Sequence, residues 1–341
     1  MFPRTHRGVS ARGRRRAALG VSAALAALAL AGCSDAGATD ANADGGDEGL
    51  KVGVIMLQGD TYYQGIESGL KAAVEADGGS VVTGLSNNDP ATEAQVAQNM
   101  IQAKVDAILM QPAAADASLA TMKSIQDAGI TLICYGNCTD AALEPGNSSG
   151  VIQSDNTALG TGTGEVAAQY INDNLDGKAN IAILNCDIAS ACKLRKAGFK
   201  EALEAAGVEA NYVTDQEAYL ADKATTVATD ILTAHDDIDL IWASNDGGTV
   251  GATVAVKQAG KDVKVFGTDI SAQLAEQLLA DDDILQVTTG QDPVATAQGA
   301  YEMAKKAIDG EENDPFAVEL PGIVYNRAEP ANVEEFLASA Q

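Results

Sequence analysis

Polar side chains follow the apolar segments of this chain, at the points where buried strands are predicted to end. Most of them are Asp, Asn, Gln or Tyr, and one segment also leads to a Lys and an Arg. Carboxylates and amides form paired hydrogen bonds with adjacent hydroxyl groups, and aromatic rings cover apolar CH faces. The pattern therefore indicates a site for a sugar or polyol. The residues concerned are Asp60, Tyr62, Tyr63, Asn137, Lys193, Arg195, Tyr219, Asn245, Asp269 and Gln291.

These residues meet if the strands before them lie in parallel sheets, because ligands of such sheets bind outside the carboxyl ends of the strands. Nine short apolar segments alternate with amphipathic stretches, which is typical of a doubly wound α/β fold. The predicted strands are 51–57, 80–85, 106–110, 130–135, 179–184, 209–213, 239–243, 263–267 and 284–289. The predicted helices are 64–76, 91–103, 114–128, 157–175, 194–206, 221–234, 247–259, 271–280 and 293–309.

The number of predicted strands indicates two sheets, because nine strands are many for the single sheet of one small domain. The length agrees, since 341 residues allow about two domains. A polar stretch with Gly and Pro, 136–150, interrupts the alternation, and residues 151–153 after it predict a strand that crosses between lobes. We therefore expect an α/β protein with two doubly wound parallel-sheet lobes joined by a multi-strand hinge.

Charge and composition exclude several classes of protein. The chain has 22 Lys and Arg against 48 Asp and Glu, and its net charge of −26 excludes non-specific attraction to nucleic-acid phosphates. It has only two His. Its one G-x-S-x-G match, at 146–150, lies in a polar stretch before a predicted strand and not between a strand and a helix as in the nucleophile elbow of hydrolases. Its one match to the start of a calcium loop, at 40–45, has Lys51 where that loop requires Glu. We expect no enzymatic activity, no cofactor and no metal site.

The amino-terminal segment has the features of an export signal. Residues 1–16 carry six Arg and no acidic residue, and the apolar run that follows is shorter than the ~20 residues of a membrane-spanning helix. The run ends Leu30-Ala31-Gly32-Cys33, which resembles a bacterial lipobox, so we expect removal of residues 1–32 and lipid on Cys33. An ordinary signal peptide with an incidental Cys is the alternative. Residues 33–49 are rich in Gly, Ala and Asp and predict an acidic, flexible tether.

Four further cysteines, Cys134, Cys138, Cys186 and Cys192, follow the tether. Outside the cytoplasm an even number of cysteines favours disulfides, and four cysteines allow three pairings. The short spacings favour Cys134–Cys138 and Cys186–Cys192. Free thiols, crossed pairs and a four-Cys zinc site are the alternatives, although the spacings differ from the C-x₂-C pairs of zinc sites.

Several short segments, taken in their order and spacing, resemble those of a known family. The segments are 64–77, Ser86-Asn87-Asn88-Asp89-Pro90, Gln153-Ser154-Asp155-Asn156, Lys196-Ala197-Gly198-Phe199, Ala243-Ser244-Asn245-Asp246, Val265-Phe266-Gly267-Thr268-Asp269 and Gln291-Asp292-Pro293. Over nearly all of 50–327 the chain resembles the type I solute-binding proteins of bacterial ABC importers, specifically the ribose-binding-like group. The resemblance implies an N-terminal lobe of residues 50–154 plus 292–318 and a C-terminal lobe of residues 155–291 plus 319–341.

The resemblance also implies roles for residues of the first lobe and the hinge. Tyr62 and Tyr63 match an aromatic pair that encloses the sugar, Asp60 matches a polar residue beside the pair, and Gln291 matches a Gln near the hinge. Gly136-Asn137 departs from the family, which typically has Asp-Arg there. This departure argues against ribose itself and leaves another pentose, a hexose, a polyol or a cyclitol open.

In the second lobe, Tyr219 matches an aromatic residue, and Asn245 and Asp269 match side chains that bind hydroxyl groups. Lys193 falls where ribose binders place an Arg, with Arg195 two residues further on.

These residues also have structural alternatives. Asp269 would otherwise cap the helix predicted at 271–280, and Asn245 would cap the helix predicted from residue 247. The two tyrosines would pack at a helix start, and Lys193 and Arg195 would be solvated helix residues. Tyr219 would be a surface residue, Asn137 a turn residue and Gln291 a hinge residue.

The function that these observations predict is capture of a sugar or polyol between two lobes that close by a hinge motion. The partner of the loaded protein would be an ABC permease, and the protein would be a monomer anchored through Cys33 to the outer face of the cytoplasmic membrane. A sugar-sensing receptor lipoprotein for chemotaxis or quorum signalling is the alternative. A transcriptional repressor of similar architecture would need a basic DNA-binding segment where this chain has its signal.

Overall fold

The computed structural model describes residues 49–339. The predicted signal peptide, Cys33 and nearly all of the tether lie outside the described residues. None of the helices within residues 49–339 is both long enough and apolar enough to cross a membrane.

Twelve strands and ten α-helices alternate along the described part of the chain. The strands are β1 (Lys51–Met56), β2 (Ser80–Leu85), β3 (Ala107–Met110), β4 (Thr131–Tyr135), β5 (Gly150–Ser154), β6 (Lys178–Asn185), β7 (Glu209–Glu217), β8 (Leu240–Ala243), β9 (Lys264–Thr268), β10 (Leu285–Gly290), β11 (Ala317–Leu320) and β12 (Ile323–Asn326). The helices are α1 (Thr61–Ala76), α2 (Pro90–Gln102), α3 (Ser118–Asp127), α4 (Asn156–Asn174), α5 (Ser190–Ala205), α6 (Ala221–Ala234), α7 (Asp246–Ala259), α8 (Ala272–Leu279), α9 (Pro293–Ile308) and α10 (Ala331–Ser339).

The strands form two six-stranded sheets, which confirms the expected two-lobed α/β fold. The first sheet has the order β11-β5-β4-β3-β1-β2 and is parallel throughout. The second has the order β12-β10-β9-β8-β6-β7 and is parallel except for β12, which runs antiparallel to β10. In each sheet the carboxyl ends of the parallel strands therefore share one edge.

The central strands are buried because helices cover both faces of each sheet. Every residue of β3 and of β8 is buried, as continuous apolar segments predict for parallel strands. In the second lobe the rings of Phe199 and Trp242 stack with their centroids 4.7 Å apart, so α5 packs directly on β8.

Three chain crossings join the sheets. The first runs from β5 into α4, the second from β10 into α9, and the third from β11 into β12. Hydrogen bonds tie the crossings together: the Ser154 hydroxyl donates to Gln291 Oε1 over 3.1 Å, and the Asp155 amide donates to the Leu320 carbonyl over 2.9 Å. The crossings therefore form a multi-strand hinge.

Several elements differ from the sequence-based expectation. The segment 151–153 is not only a crossing, because it belongs to β5 and pairs with β4 and β11 in the first sheet. The helix predicted from residue 114 begins at Ser118, since the buried Glu93 carboxylate accepts hydrogen bonds from the Ala113 amide and the Ser118 hydroxyl and holds the intervening turn. β11, β12 and α10 were not predicted, and β11 extends to Leu320, beyond the predicted lobe boundary at residue 318.

Candidate functional site

A buried ion pair lies at the carboxyl edge of the second sheet. The Arg195 side chain is only 7% exposed, and its Nη1 lies 3.0 Å from the Asp269 carboxylate. Nη1 also donates to the Ser244 carbonyl over 3.1 Å, and Nε donates to Asn156 Oδ1 over 3.0 Å. A buried guanidinium is stable only with such partners, because an unpaired buried charge is strongly unfavourable. We call Asn156, Arg195, Ser244, Asp246 and Asp269 the Arg195 cluster.

Close packing of α4 on α5 brings Arg195 to Asn156. A Cβ atom on Gly160 would lie 1.8 Å from the Arg195 carbonyl oxygen, and one on Gly198 would lie 2.1 Å from the Thr157 carbonyl oxygen. Only glycine allows these backbone approaches. The first residue of α4 is therefore within hydrogen-bond distance of the second turn of α5.

Asp269 directs its carboxylate into the cluster from the end of β9. Its φ of 72° lies in the left-handed region, which Asp adopts more readily than most residues. The carboxylate accepts a hydrogen bond from the Asp246 amide at 3.2 Å as well as from Arg195. The alternative that Asp269 caps the next helix is wrong, because Ser271 caps α8.

Asp246, at the start of α7, carries a second carboxylate into the cluster. Burial raises the pKa of Asp246, a hydrogen bond with Ser271 opposes the rise, and the neighbouring Asp269 charge adds to it. Its Oδ2 is buried without a hydrogen-bond partner. A buried oxygen without a partner is unfavourable, so Asp246 Oδ2 is a polar position that no other group of the described residues satisfies.

The first sheet has a corresponding polar position at its own carboxyl edge. Gln111 follows β3, is 2% exposed, and has a buried Oε1 without a partner. Gly136 follows β4 with a φ of 71°, and a Cβ there would lie 2.5 Å from Gln111 Oε1 and 3.4 Å from Tyr62 Oη. The missing side chain at position 136 thus leaves room for an amide and a phenol hydroxyl.

The tyrosine pair at the start of α1 is divided between the edge and the core. The two rings meet edge to face with centroids 5.1 Å apart. Tyr63 is 5% exposed and packs in the core of the first lobe, so the structure does not present its ring at the strand ends. Tyr62 is half-buried, with its hydroxyl beside Gly136. Asp60 is the N-cap of α1 and accepts from the Tyr63 amide over 3.3 Å.

The other predicted residues occupy several positions around these groups. Asn245 caps α7 through the Gly248 amide and donates from Nδ2 to the carbonyl of Tyr219, which is half-exposed. Asn137 is exposed in the loop after β4, and Gln291 takes part in the hinge hydrogen bond. Lys193 is exposed and outside the Arg195 cluster, whereas Arg195 is central to it.

Sequence reasoning did not assign Gln111, Asn156, Ser244 or Asp246 to the site. Gln111 had a clear signal, because it directly follows a predicted strand like the other candidates. The contact of Asn156 with Arg195 depends on the packing of two helices, and no local pattern predicts it.

The structure joins Cys134 to Cys138 and Cys186 to Cys192, the pairing that the short spacings favour. The four sulfurs are therefore not zinc ligands. Among residues 49–339 no group of three or more His, Cys, Asp or Glu is arranged to hold a metal ion.

A surface cavity of about 580 Å³ lies between α4 and α5 and is lined by residues such as Glu165, Ala168 and Ala202. It contains none of the predicted site residues. The orphaned oxygens and the buried ion pair lie at the strand ends instead, so we place the candidate site there.

Comparison with known proteins agrees with the geometry. The sequence profile of a family described as "Periplasmic binding protein domain" matches residues 52–312. The "ABC transporter periplasmic-binding protein YphF" of Escherichia coli is 26% identical over 285 residues, covering 82% of this chain and 86% of that protein. The "Ribose import binding protein RbsB" of Bacillus subtilis is 28% identical over 251 residues, covering 73% and 78%.

Among solved structures, an ABC transporter periplasmic solute binding protein from Actinobacillus succinogenes with bound D-allose superposes with a TM-score of 0.71. The two sequences are 25% identical, and the match covers 83% of this chain and 99% of that one. These matches confirm the expectation that the protein binds a solute and is not an enzyme.

Proposed function

The chain belongs to the periplasmic binding protein family, and from that premise we propose that it captures a small sugar or polyol between its two lobes for an ABC importer. The observation that carries this proposal is the Arg195 cluster, a buried and hydrogen-bonded set of polar groups at the carboxyl edge of a parallel sheet. Ligands of open α/β sheets bind at this edge.

The chemistry of the cluster suits a ligand with several hydroxyl groups. The Asp269 carboxylate accepts hydrogen bonds from hydroxyls, the Arg195 guanidinium donates to their oxygens, and Asp246 Oδ2 is a further free acceptor. Asn245 and Tyr219 lie next to these groups and would complete the half-site of the second lobe.

The first lobe would contribute Tyr62, Asn137 and Gln111 from the opposite side. Asp60 would act through the helix start that it caps, and Gln291 through the hinge crossing that it shares with Ser154. A ligand stabilises the closed form only when both lobes contact it, so closure follows from differential binding to the closed state. The lobes would be residues 50–154 plus 292–320 and residues 155–291 plus 321–341, with the second boundary moved from residue 318 to the end of β11.

The relatives support the sugar class. The names of two of them refer to ribose import and to D-allose. Gly136-Asn137 in this chain supports a solute other than ribose, because it differs from the Asp-Arg typical of ribose binders.

The amino-terminal sequence supports a lipoprotein held at the outer face of the cytoplasmic membrane, with residues 1–32 as signal peptide and Cys33 as lipidation site. The protein would act there as a monomer beside its permease. Metabolic labelling with a fatty acid tests this part: label should appear on the wild-type protein and be absent from the Cys33→Ala variant. Equal labelling of the two proteins would refute the anchor.

Binding is tested by a thermal-shift screen of neutral pentoses, hexoses, polyols and cyclitols. One ligand class should raise the melting temperature, by mass action on the folded state. The Asp269→Asn variant should lose the shift, whereas Asp262→Asn, a matched change at a 92% exposed carboxylate, should keep it. If no compound shifts the wild-type protein, the sugar-binding proposal fails.

A further inference from the structure

Both disulfides lie at the strand edges that carry the candidate site. Cys134 is in β4 and Cys138 follows it by four positions, so their loop contains Asn137. Cys186 directly follows β6, and Cys192 is in the first turn of α5. One covalent link is therefore placed in each half of the site.

The start of α5 lacks the usual stabilisation of a helix end. Its N-cap is Ala189, which makes no side-chain hydrogen bond to the first turn. The first amides of a helix have no partner within the helix, and a helix without a capping side chain frays there. Arg195 lies in the second turn, so fraying of α5 would move its guanidinium away from Asp269.

Cys192 lies three residues before Arg195, on the same face of α5, and both side chains are buried. The disulfide attaches this first turn directly to the end of β6. It therefore substitutes for the missing cap as the element that holds the turn in place.

The other sulfur of the disulfide, Cys186 Sγ, contacts the Arg195 cluster through Ser244. Cys186 Sγ lies 3.1 Å from the Ser244 hydroxyl, and the Ser244 carbonyl accepts the hydrogen bond from Arg195 Nη1. The disulfide thus contacts the side chain of the residue whose carbonyl accepts from the guanidinium, and it fixes the helix that carries the guanidinium.

A noncovalent link runs parallel to the disulfide. Lys196 Nζ lies 2.5 Å from Asp187 of the loop and 3.0 Å from Asp215. The closed loop is also short, and a disulfide that closes a short loop stabilises a protein less through chain entropy than one that closes a long loop. Loss of the disulfide should therefore loosen the turn without unfolding the lobe.

We propose that the Cys186–Cys192 disulfide is a positioning device that holds Arg195 in register with Asp269 for ligand binding. The binding part of this inference rests on the proposed function, and the ordering of α5 does not.

The test compares the wild-type protein with the Cys186→Ser/Cys192→Ser double variant by hydrogen–deuterium exchange. Amides of residues 192–196 should exchange about tenfold faster in the variant, while those of β1 and β8 stay unchanged. The melting temperature should fall by several degrees, while the unfolding transition stays cooperative. Unchanged exchange in α5, or an equal rise in every element, would overturn the proposal.

A rescue variant tests whether the missing N-cap of α5 is the cause of the faster exchange. Ala189→Ser, added to the double variant, supplies a capping hydroxyl at a residue whose φ of −106° and ψ of 138° suit an N-cap. It should slow the exchange of residues 192–196 again. If the rescued protein still exchanges as fast as the double variant, fraying is not the cause.

Calorimetric titration with D-allose and D-ribose as probes measures whether order in the first turn of α5 affects the affinity of the site. If either probe binds the wild-type protein, its affinity should be about tenfold lower for the double variant and partly recovered in the rescue variant. Equal affinities despite faster exchange would overturn the positioning role. If neither probe binds the wild-type protein, the choice of sugar is at fault, and the exchange data alone decide the proposal.

Discussion

The burial of the Arg195–Asp269 ion pair predicts how strongly a substitution of Asp269 destabilises the protein. Asp269→Ala leaves a guanidinium that is 7% exposed with only two neutral acceptors, the Ser244 carbonyl and Asn156 Oδ1. Removing one partner of a buried pair destabilises by about 3–5 kcal/mol. Asp269 is itself 23% exposed, so the low end, about 3 kcal/mol, applies.

This free energy corresponds to a fall in melting temperature of about 6–12 °C, at about 2–4 °C per kcal/mol for domains of this size. Differential scanning calorimetry and urea unfolding measure it. The matched control is Asp262→Ala, which removes a carboxylate that is 92% exposed and paired with Lys264, and should give no resolvable shift.

The double variant Arg195→Met/Asp269→Leu separates the energetics of the pair from its function. Replacing a buried pair by apolar groups of similar size is often neutral, so this variant should be more stable than Asp269→Ala. It should nevertheless bind no sugar. If Asp269→Ala melts within about 1 °C of the control, or if the double variant is the least stable, the ion pair is not buried as described.

Three further predictions concern packing, pH and salt. Gly198→Ala should destabilise by about 1–3 kcal/mol, measured by urea unfolding, because a Cβ there would lie 2.1 Å from the Thr157 carbonyl oxygen. Hydrogen bonds from Lys305 and Tyr301 lower the pKa of Asp77. The ionised Asp77 therefore stabilises the fold above the ordinary Asp pKa, and this stabilisation is lost as the pH falls through the lowered pKa. Asp77→Asn should flatten the acid side of a plot of melting temperature against pH. Residues 50–341 carry a net charge of −27, so added NaCl should raise the melting temperature of the protein by screening this repulsion, and a fall would contradict that reasoning.

The sequence predicted the strands buried on both faces well, and it also placed β2 at its observed bounds although no residue of β2 is buried. β3 and β8 are continuous apolar segments, and burial explains both their composition and their position in the sheets. β11 alternates exposed and half-buried residues over only four positions, so it lacks a strong apolar pattern. Its place in the first sheet follows from pairing with β5, a tertiary contact that no local pattern contains.

The sequence predicted where the candidate site lies in the fold, but it predicted less well which residues belong to the site. Lys193 and Arg195 are two residues apart, and at about 100° per residue they point to opposite sides of α5. Phe199 follows Arg195 by four positions and is fully buried, so Arg195 shares the buried face and Lys193 does not. Matching short segments to a family did not distinguish these two residues, whereas the helical phase of the apolar residues does.

The charge balance of the Arg195 cluster indicates which net charge the proposed ligand has. The positive charge of Arg195 is already compensated by Asp269, Asp246 adds a second carboxylate, and Lys193 lies outside the cluster. A phosphorylated or acidic sugar would need an uncompensated cation at hydrogen-bond distance, and it would approach a domain of charge −27 against repulsion. We infer that the solute is neutral, so a neutral sugar or polyol should raise the melting temperature where its phosphate ester at equal concentration does not. A larger shift with the ester would show that Arg195 is free to bind an anion and would refute the compensated pair as the basis of the site.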